Sequence, residues 1–325
     1  MKQSYIEILK NLKETDSMNQ SPNDRILLID GLNTFIRAFA VNPSTNEDGI
    51  HIGGMTGFLQ SIGYAIKNIK PTRVIVCFDG KGGSSKRRKL FPEYKANRKV
   101  RKRLTRLNSF SSQEDESISM KNQIRRLTQY LDTLPITVIA PENIEADDAM
   151  AYISQQIYPK SHVYIMSTDK DFLQLVDDRL QVWSPTKKKY YFKNTVNEDF
   201  EIPAHNYLLY RTMKGDPSDN IPGIKGVGVK TLKKRLPILF DDKKITIEDL
   251  LDYVKNTDDT SKVIKEISDS EDMIRLNYEL MQLSEVDIPG STKSYIMDAV
   301  RKPINRLVKY KFQKLMLEDK TYTAI

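Results

Sequence analysis

Four short runs of apolar, mostly β-branched residues punctuate the first half of the chain: RILLID (25–30), RVIVCFD (73–79), ITVIAP (136–141) and VYIMSTD (163–169). Each is continuous rather than alternating, the pattern of a strand covered on both faces in a parallel sheet. Between them apolar positions recur at helical spacing, in GFLQSIGYAIKNI (57–69), ISMKNQIRRLTQYLDTL (118–134) and EADDAMAYISQQI (145–157). Strand alternating with helix predicts an α/β fold with a central, mostly parallel sheet and right-handed crossovers. QVWSPTKKKYYF (181–192) reads as a further strand or a hairpin, and helical patterns run from 206 to the C-terminus with Gly/Pro punctuation at 215–228.

Two stretches interrupt this alternation. Residues 1–24 are polar, lack sustained periodicity and read as an appendage to the core. The connection between the second and third strands is far longer than an ordinary crossover, which points to a functional or disordered insertion. It includes the Ser-rich, acidic NSFSSQEDES (108–117), which reads as flexible. The expected organisation is therefore an appendage (1–24), an α/β core (25–205) carrying an insertion at about 81–131, and a helical region (206–325).

At 325 residues the chain can bury a large core, and 39% hydrophobic with 29% charged residues is a globular composition. The longest apolar runs are too short to span a bilayer, and the N-terminus lacks an apolar stretch followed by a small-residue cleavage site. A single cysteine, Cys77, excludes an internal disulfide framework, and the scattered His51, His162 and His205 with that one thiol do not suit zinc. These features predict a soluble cytoplasmic protein with no membrane partner.

The net charge of +8 is unevenly placed. Lys81 to Arg106 holds 12 basic residues and one acid, Glu93, while the rest of the chain has 39 basic and 42 acidic residues. A charge run is often only a solvated face. This one, headed by Lys86, Arg87 and Arg88, also carries Phe91 and Tyr94, and basic residues interleaved with aromatics suit a nucleic-acid backbone through counterion release and stacking.

Carboxylates gather where the strands end. The first run ends at Asp30, the second at Asp79 and the fourth at Asp169, with Asp171 two residues on; Glu145, Asp147 and Asp148 open the helix after the third. In an open parallel sheet the ligand crevice lies outside the carboxyl ends of the strands, so these groups should share one rim. Any one of them could simply cap a helix. Gathered without cations, six or seven would repel strongly, and an all-oxygen set favours Mg²⁺ or Mn²⁺, hence phosphoryl chemistry. GDPSDNIPG adds Asp216 and Asp219, which would face the same way if the turn were helical, though Asp-Pro is also a plain turn signal. The following GIKGVGVKT (223–231) lacks the Gly-x-x-x-x-Gly-Lys-Ser/Thr spacing of a nucleotide-binding P-loop, and as a glycine-rich turn opening a helix it offers backbone N–H groups to a phosphate.

LLIDGLN, VCFDGKGG, PEYKANR, IEADDAMA, STDKDFLQL and MKGDPSDNIPGIKGVGVKT, in this order, resemble the structure-specific 5′ nucleases: flap endonucleases, the 5′-nuclease domain of bacterial DNA polymerase I and phage 5′ exonucleases. The likeness spans about residues 25–235, and the lysine-bearing 181–192 stretch together with the polar N-terminus is similar to the ribonuclease H of T-even-type bacteriophages, which removes lagging-strand RNA primers. The resemblance implies a core with a helical arch and a helix–two-turn–helix at about 206–235. It places one Mg²⁺ on Asp79, Glu145, Asp147 and Asp148 with Asp30 nearby, and a second on Asp169, Asp171, Asp216 and Asp219, with Mn²⁺ as a substitute. Lys95 and Arg98 would face the scissile phosphate and Tyr94 would stack on a nucleobase. Gly223, Lys225, Gly226, Gly228, Lys230 and Thr231 would grip duplex backbone and hold a K⁺. The implied substrates are flap or nicked duplex DNA and RNA–DNA hybrid, the implied partners a sliding clamp and a single-strand-binding protein, and the implied state a monomer. Two other readings fit the sequence less well. A haloacid-dehalogenase-type phosphatase needs an Asp two residues after the first, where Leu32 stands. A non-catalytic junction-binding relative would have lost carboxylates that are all present here.

Overall fold

A computed structural model of the chain describes residues 23–100, 104–105 and 110–321. Most of the N-terminal appendage and parts of the insertion (101–103, 106–109) lie outside the described residues. The four apolar runs become parallel strands β1 (Arg25–Asp30), β2 (Arg73–Cys77), β3 (Thr137–Ile139) and β4 (His162–Met166). The 181–192 stretch resolves into a parallel β5 (Leu180–Ser184) and an antiparallel β6 (Lys189–Tyr191), so it is a hairpin. The sheet order is β3-β2-β1-β4-β5-β6. Sequence order reverses between β1 and β4, which opens a crevice at their carboxyl ends.

Burial follows the two-residue period of the strands. Ile26, Leu28, Ile75, Cys77, Val163 and Ile165 point to one face and pack under the helix Ala146–Tyr152 and the wider π-helical turn Ile153–Ile157. Leu27, Ile29, Val74 and Val76 point to the other, under the helices Gly31–Val41, Gly53–Ile69 and Gln113–Leu131. Each fully buried aliphatic side chain contributes about 1.5–3 kcal/mol, so this two-sided cover fixes the strand register and with it the position of every strand end.

Two boundaries differ from the sequence expectation. The helix predicted from 57 begins at Gly53, because Gly54 and Gly57 let it approach its neighbour closely: a Cβ on Gly54 would meet the Phe35 ring at 2.8 Å, and one on Gly57 the Ala38 Cβ at 2.9 Å. The stretch 108–117, expected to be flexible, is helical from Gln113. Ser112 caps it by accepting from the Asp115 N–H, and Glu114, Asp115 and Glu116 favour its positive N-terminal end. Glu116 is buried and accepts from the backbone N–H groups of Leu104 and Thr105, tying the insertion to this helix.

The region after residue 206 divides its packing. Leu209, Met213, Ile224, Leu232, Leu250 and Ile274 form a separate helical core. The last helices return to the sheet: Ile296 and Val300 join one face, and Phe312 meets Tyr130 edge-on at 5.0 Å on the other. No helix among the described residues is long and apolar enough to cross a membrane.

Candidate active site

The carboxyl rim collects the predicted acids, and several serve as local caps at the same time. Asp30 accepts from the Asn33 N–H at 3.1 Å and from the Ser167 hydroxyl at 2.9 Å. Asp79 accepts from the Ala146 N–H at 2.8 Å, and Asp169 from the Asp171 N–H at 2.9 Å. Capping and a role at the site are thus not exclusive, since each carboxylate oxygen that accepts one hydrogen bond keeps a second lone pair for another partner.

Four basic side chains hold part of this acidic floor. Arg87 spans Glu145 at 2.9 Å and Asp148 at 2.8 Å while its Nε donates to the Leu280 carbonyl. Lys95 reaches Glu145 at 2.6 Å, and Arg98 pairs with Asp219. Arg211 contacts Asp171 at 2.9 Å and Asp216 at 2.5 Å. Asp216 and Asp219, expected to face one way, instead diverge toward different cations, because a tight turn closed by Asp216 N–H and Ile221 N–H contacts separates them.

The pairing divides the acids electrostatically. Burial by itself would raise the Glu145 carboxyl, but Lys95 and Arg87 outweigh it and bring its pKa down to about 2. Burial, then the charges of Asp169 and Asp79, push Asp30 up to about 7. Asp147 is driven well up by burial and by Asp30 and Asp169, and Asp169 and Asp171 are raised too, burial being the main cause in both. Among the described residues no three Asp, Glu, His or Cys groups close into a ready metal cage, and Arg87, Lys95, Arg98 and Arg211 take oxygens of Glu145, Asp148, Asp219, Asp171 and Asp216. The donor chemistry nonetheless fits a hard divalent cation: every donor is oxygen, and Asp30, Asp147, Asp169 and Asp171 form a crowded group whose repulsion such an ion would relieve.

Two assignments need correction. Tyr94 is not a stacking platform: it is 3% exposed, packs with Ile221, Leu280 and Met281, and donates its hydroxyl to Glu145 at 2.9 Å, with Asp219 at 3.3 Å. Arg87 is not on a nucleic-acid face, because its donors are consumed by two carboxylates and a carbonyl. Its neighbours Lys86 and Arg88 are exposed, Lys86 beside Asp287 at 2.8 Å. Two groups at the site were missed. Ser84 donates to Glu145 at 2.5 Å, and Arg211 sits five residues before Asp216 on the helix Tyr207–Lys214, a spacing that could have shown it.

Beyond this rim lies the glycine-rich hairpin. A Cβ on Gly223 would fall 2.0 Å from the Lys214 carbonyl oxygen, and Gly215 (φ 70°) and Gly226 (φ 80°) occupy left-handed backbone, so glycine is required at this crossing. Ile224, Val227 and Leu232 anchor the loop inward and Asn277 clamps it through the Thr212 and Pro222 carbonyls at 2.8 and 2.7 Å. Gly223, Lys225, Gly226 and Lys230 remain exposed, with Gly228 and Thr231 half-buried at the start of the helix Val229–Arg235.

A mostly parallel sheet with an acidic carboxyl rim, basic side chains of the insertion paired with its acids, and an exposed glycine-rich loop is an arrangement that suits a nuclease. Residues 25–201 match the family described as the 5′-3′ exonuclease, N-terminal resolvase-like domain. The chain is 29% identical over 221 residues to the 5′-3′ exonuclease of Bacillus subtilis, covering 65% of this chain and 69% of that protein. It is 28% identical over 297 residues to the 5′-3′ exonuclease of Aquifex aeolicus, covering 90% and 93%. Identity to the DNA polymerase I of Rhizobium leguminosarum is 30% over 276 residues, 82% of this chain but only 25% of that longer protein. Among solved structures the phage T5 D15 protein, co-crystallised with metal ions, superposes with a TM-score of 0.64 at 21% identity, covering 91% of this chain and 98% of that one. The chain belongs to the 5′-3′ exonuclease family, whose N-terminal resolvase-like domain it carries over residues 25–201.

Proposed function

We propose that the protein is a divalent-metal-dependent 5′-3′ exonuclease and flap endonuclease that trims DNA and RNA 5′ ends at duplex junctions, with removal of lagging-strand RNA primers, a ribonuclease H activity, among its tasks. The observation that carries this reading is the crowding of Asp30, Asp147, Asp169 and Asp171 on one rim, with Lys95 and Arg98 already held at its edge. Asp79, Glu145, Asp147 and Asp148 would hold one Mg²⁺, with Asp30 behind them, and Asp169, Asp171, Asp216 and Asp219 a second. When bound, such ions supply an activated water and stabilise the leaving oxygen.

The chain's own residues do the rest. Lys95 is nearly buried on a left-handed backbone (φ 57°), an unusual conformation that fixes where its ammonium can reach. A scissile phosphate entering the rim offers Lys95 and Arg98 a second anion, and their charge then opposes the negative charge that builds on the non-bridging oxygens. The exposed Lys225 and Lys230 and the backbone of the hairpin would seat the duplex phosphates, which set position without reading sequence. A K⁺ at this hairpin, a sliding clamp and a single-strand-binding protein as partners, and a cytoplasmic monomer, in the host cell if phage-encoded, complete the proposal.

The test is a 5′-labelled flap duplex and a 5′-RNA-primed duplex, each incubated with Mg²⁺ or with EDTA. Short products from the 5′ side that need Mg²⁺ are the expected result, and release from the RNA-primed duplex carries the primer-removal part. Salt-sensitive junction binding with no cleavage under any condition would make the protein a non-catalytic junction binder instead.

A further inference from the structure

The helix Tyr207–Lys214, which leads into the hairpin, delivers one cation to the rim. Arg211 is 11% exposed; its Nε lies 3.0 Å and its Nη2 2.9 Å from Asp171 Oδ1, and the same Nη2 lies 2.5 Å from Asp216 Oδ2. It therefore takes one oxygen from each acid. Of the other two oxygens, Asp216 Oδ1 accepts from the Ser218 N–H at 2.8 Å. A planar fork gripping two carboxylates fixes both side chains in one arrangement. The contact differs from that of Arg87, which grips the other acidic group: Arg87 also binds the Leu280 carbonyl and so is tied to a separate helix. A guanidinium keeps its charge at every working pH, so Arg211 places a permanent positive charge a few ångströms from wherever these two acids would hold a cation, and like charges at that range oppose each other strongly.

We propose that Arg211 is a positioning residue for the second carboxylate group, holding Asp171 and Asp216 in a fixed arrangement while keeping their affinity for a divalent ion low until a substrate phosphate adds its negative charge. The inference rests on the reading of these acids as metal ligands. Both parts can be separated by substitution. Arg211→Gln removes the charge, whereas Arg211→Lys keeps the charge but loses the fork.

The probe is Mn²⁺ followed by electron paramagnetic resonance on the full-length protein without DNA, with far-ultraviolet circular dichroism as the check on folding. Wild type should show two classes of bound Mn²⁺. In Arg211→Gln one class should tighten about tenfold while the other is unchanged. In Arg211→Lys both classes should match wild type, while turnover on a flap duplex falls at unchanged KM. Arg211→Gln with both classes unchanged or weakened would overturn the inference and leave a structural clamp. Arg211→Lys with wild-type turnover would overturn the positioning part, and it serves alone if Arg211→Gln does not fold. A wild-type protein that binds no Mn²⁺ would instead bring down the metal reading itself, and this inference with it.

Discussion

At the carboxyl rim, which takes in Asp216 and Asp219, side chains carry the chemistry; in the glycine-rich loop between Ile221 and Val229 the exposed positions include two glycines, Gly223 and Gly226, beside Lys225. The rim acids are crowded, and four cations, three from the distant insertion and Arg211 from the helix just before Asp216, neutralise part of their charge. The hairpin has little charge to neutralise and is shaped instead by glycines that tolerate contact or left-handed backbone where no side chain could. A rim built this way suits a reaction, because it holds charge ready to be redistributed. A loop built that way suits docking, because a backbone edge fits any duplex alike. Substitutions should therefore separate turnover from affinity according to which region they strike.

The largest effect belongs to the rim. Asp79→Asn and Asp169→Asn should each lower cleavage of a flap duplex on the order of a thousandfold while junction binding, measured by fluorescence anisotropy, stays largely intact. Loss of binding in a folded variant would end the division between the two regions. Next comes Lys95→Ala, which should lower turnover about a hundredfold with a much smaller change in affinity. Glu145 would still keep Arg87 as a partner, so the fold should survive. Equal loss of both quantities would make Lys95 a docking residue.

The hairpin should answer in the opposite sense. Lys225 is exposed, so Lys225→Ala should weaken junction binding at every sequence and reduce the salt slope by about one, with turnover at saturation unchanged. Gly223→Ala should cost more affinity, because its Cβ would require the Lys214 carbonyl to move. A salt slope left unaltered by Lys225→Ala would place the duplex elsewhere.

The same contrast explains what could be read from the residues alone. The strands were legible because burial on both faces demands uninterrupted apolar runs, and the rim followed because strand ends in a parallel sheet point one way. The direction of individual charges was not. Within the helix Ser85–Leu90, Lys86 and Arg88 face solvent while Arg87 turns in to Glu145 and Asp148, acids some sixty residues on that no local pattern connects to it. Tyr94 fails as a stacking aromatic for the same reason, since Ile221, Leu280 and Met281, which bury it, come from segments with no periodic link to it. The helical stretch from Gln113 was hidden by its polar composition; its cap and first-turn acids stabilise it where hydrophobicity does not.

The smallest effect sharpens the rim's side of the comparison, because it reads the crowding without any substrate. Asp30 has its pKa raised to about 7, first by burial and then by Asp169 and Asp79, against an ordinary value of 3.8. Its neutral form is favoured in the fold, so its contribution to stability is fully present below about pH 4 and is lost as pH rises toward 7. Asp30→Asn keeps an oxygen to accept from the Asn33 N–H and removes the titrating group. In EDTA, the melting temperature of wild type should fall relative to that of Asp30→Asn between pH 4 and 7, by roughly 5 °C at the upper end. Saturating Mg²⁺ should shrink that gap, since a divalent ion gives the ionised rim its counter-charge. Parallel pH profiles in EDTA would mean that Asp30 stays ionised in the fold and that the rim is less crowded than its burial implies.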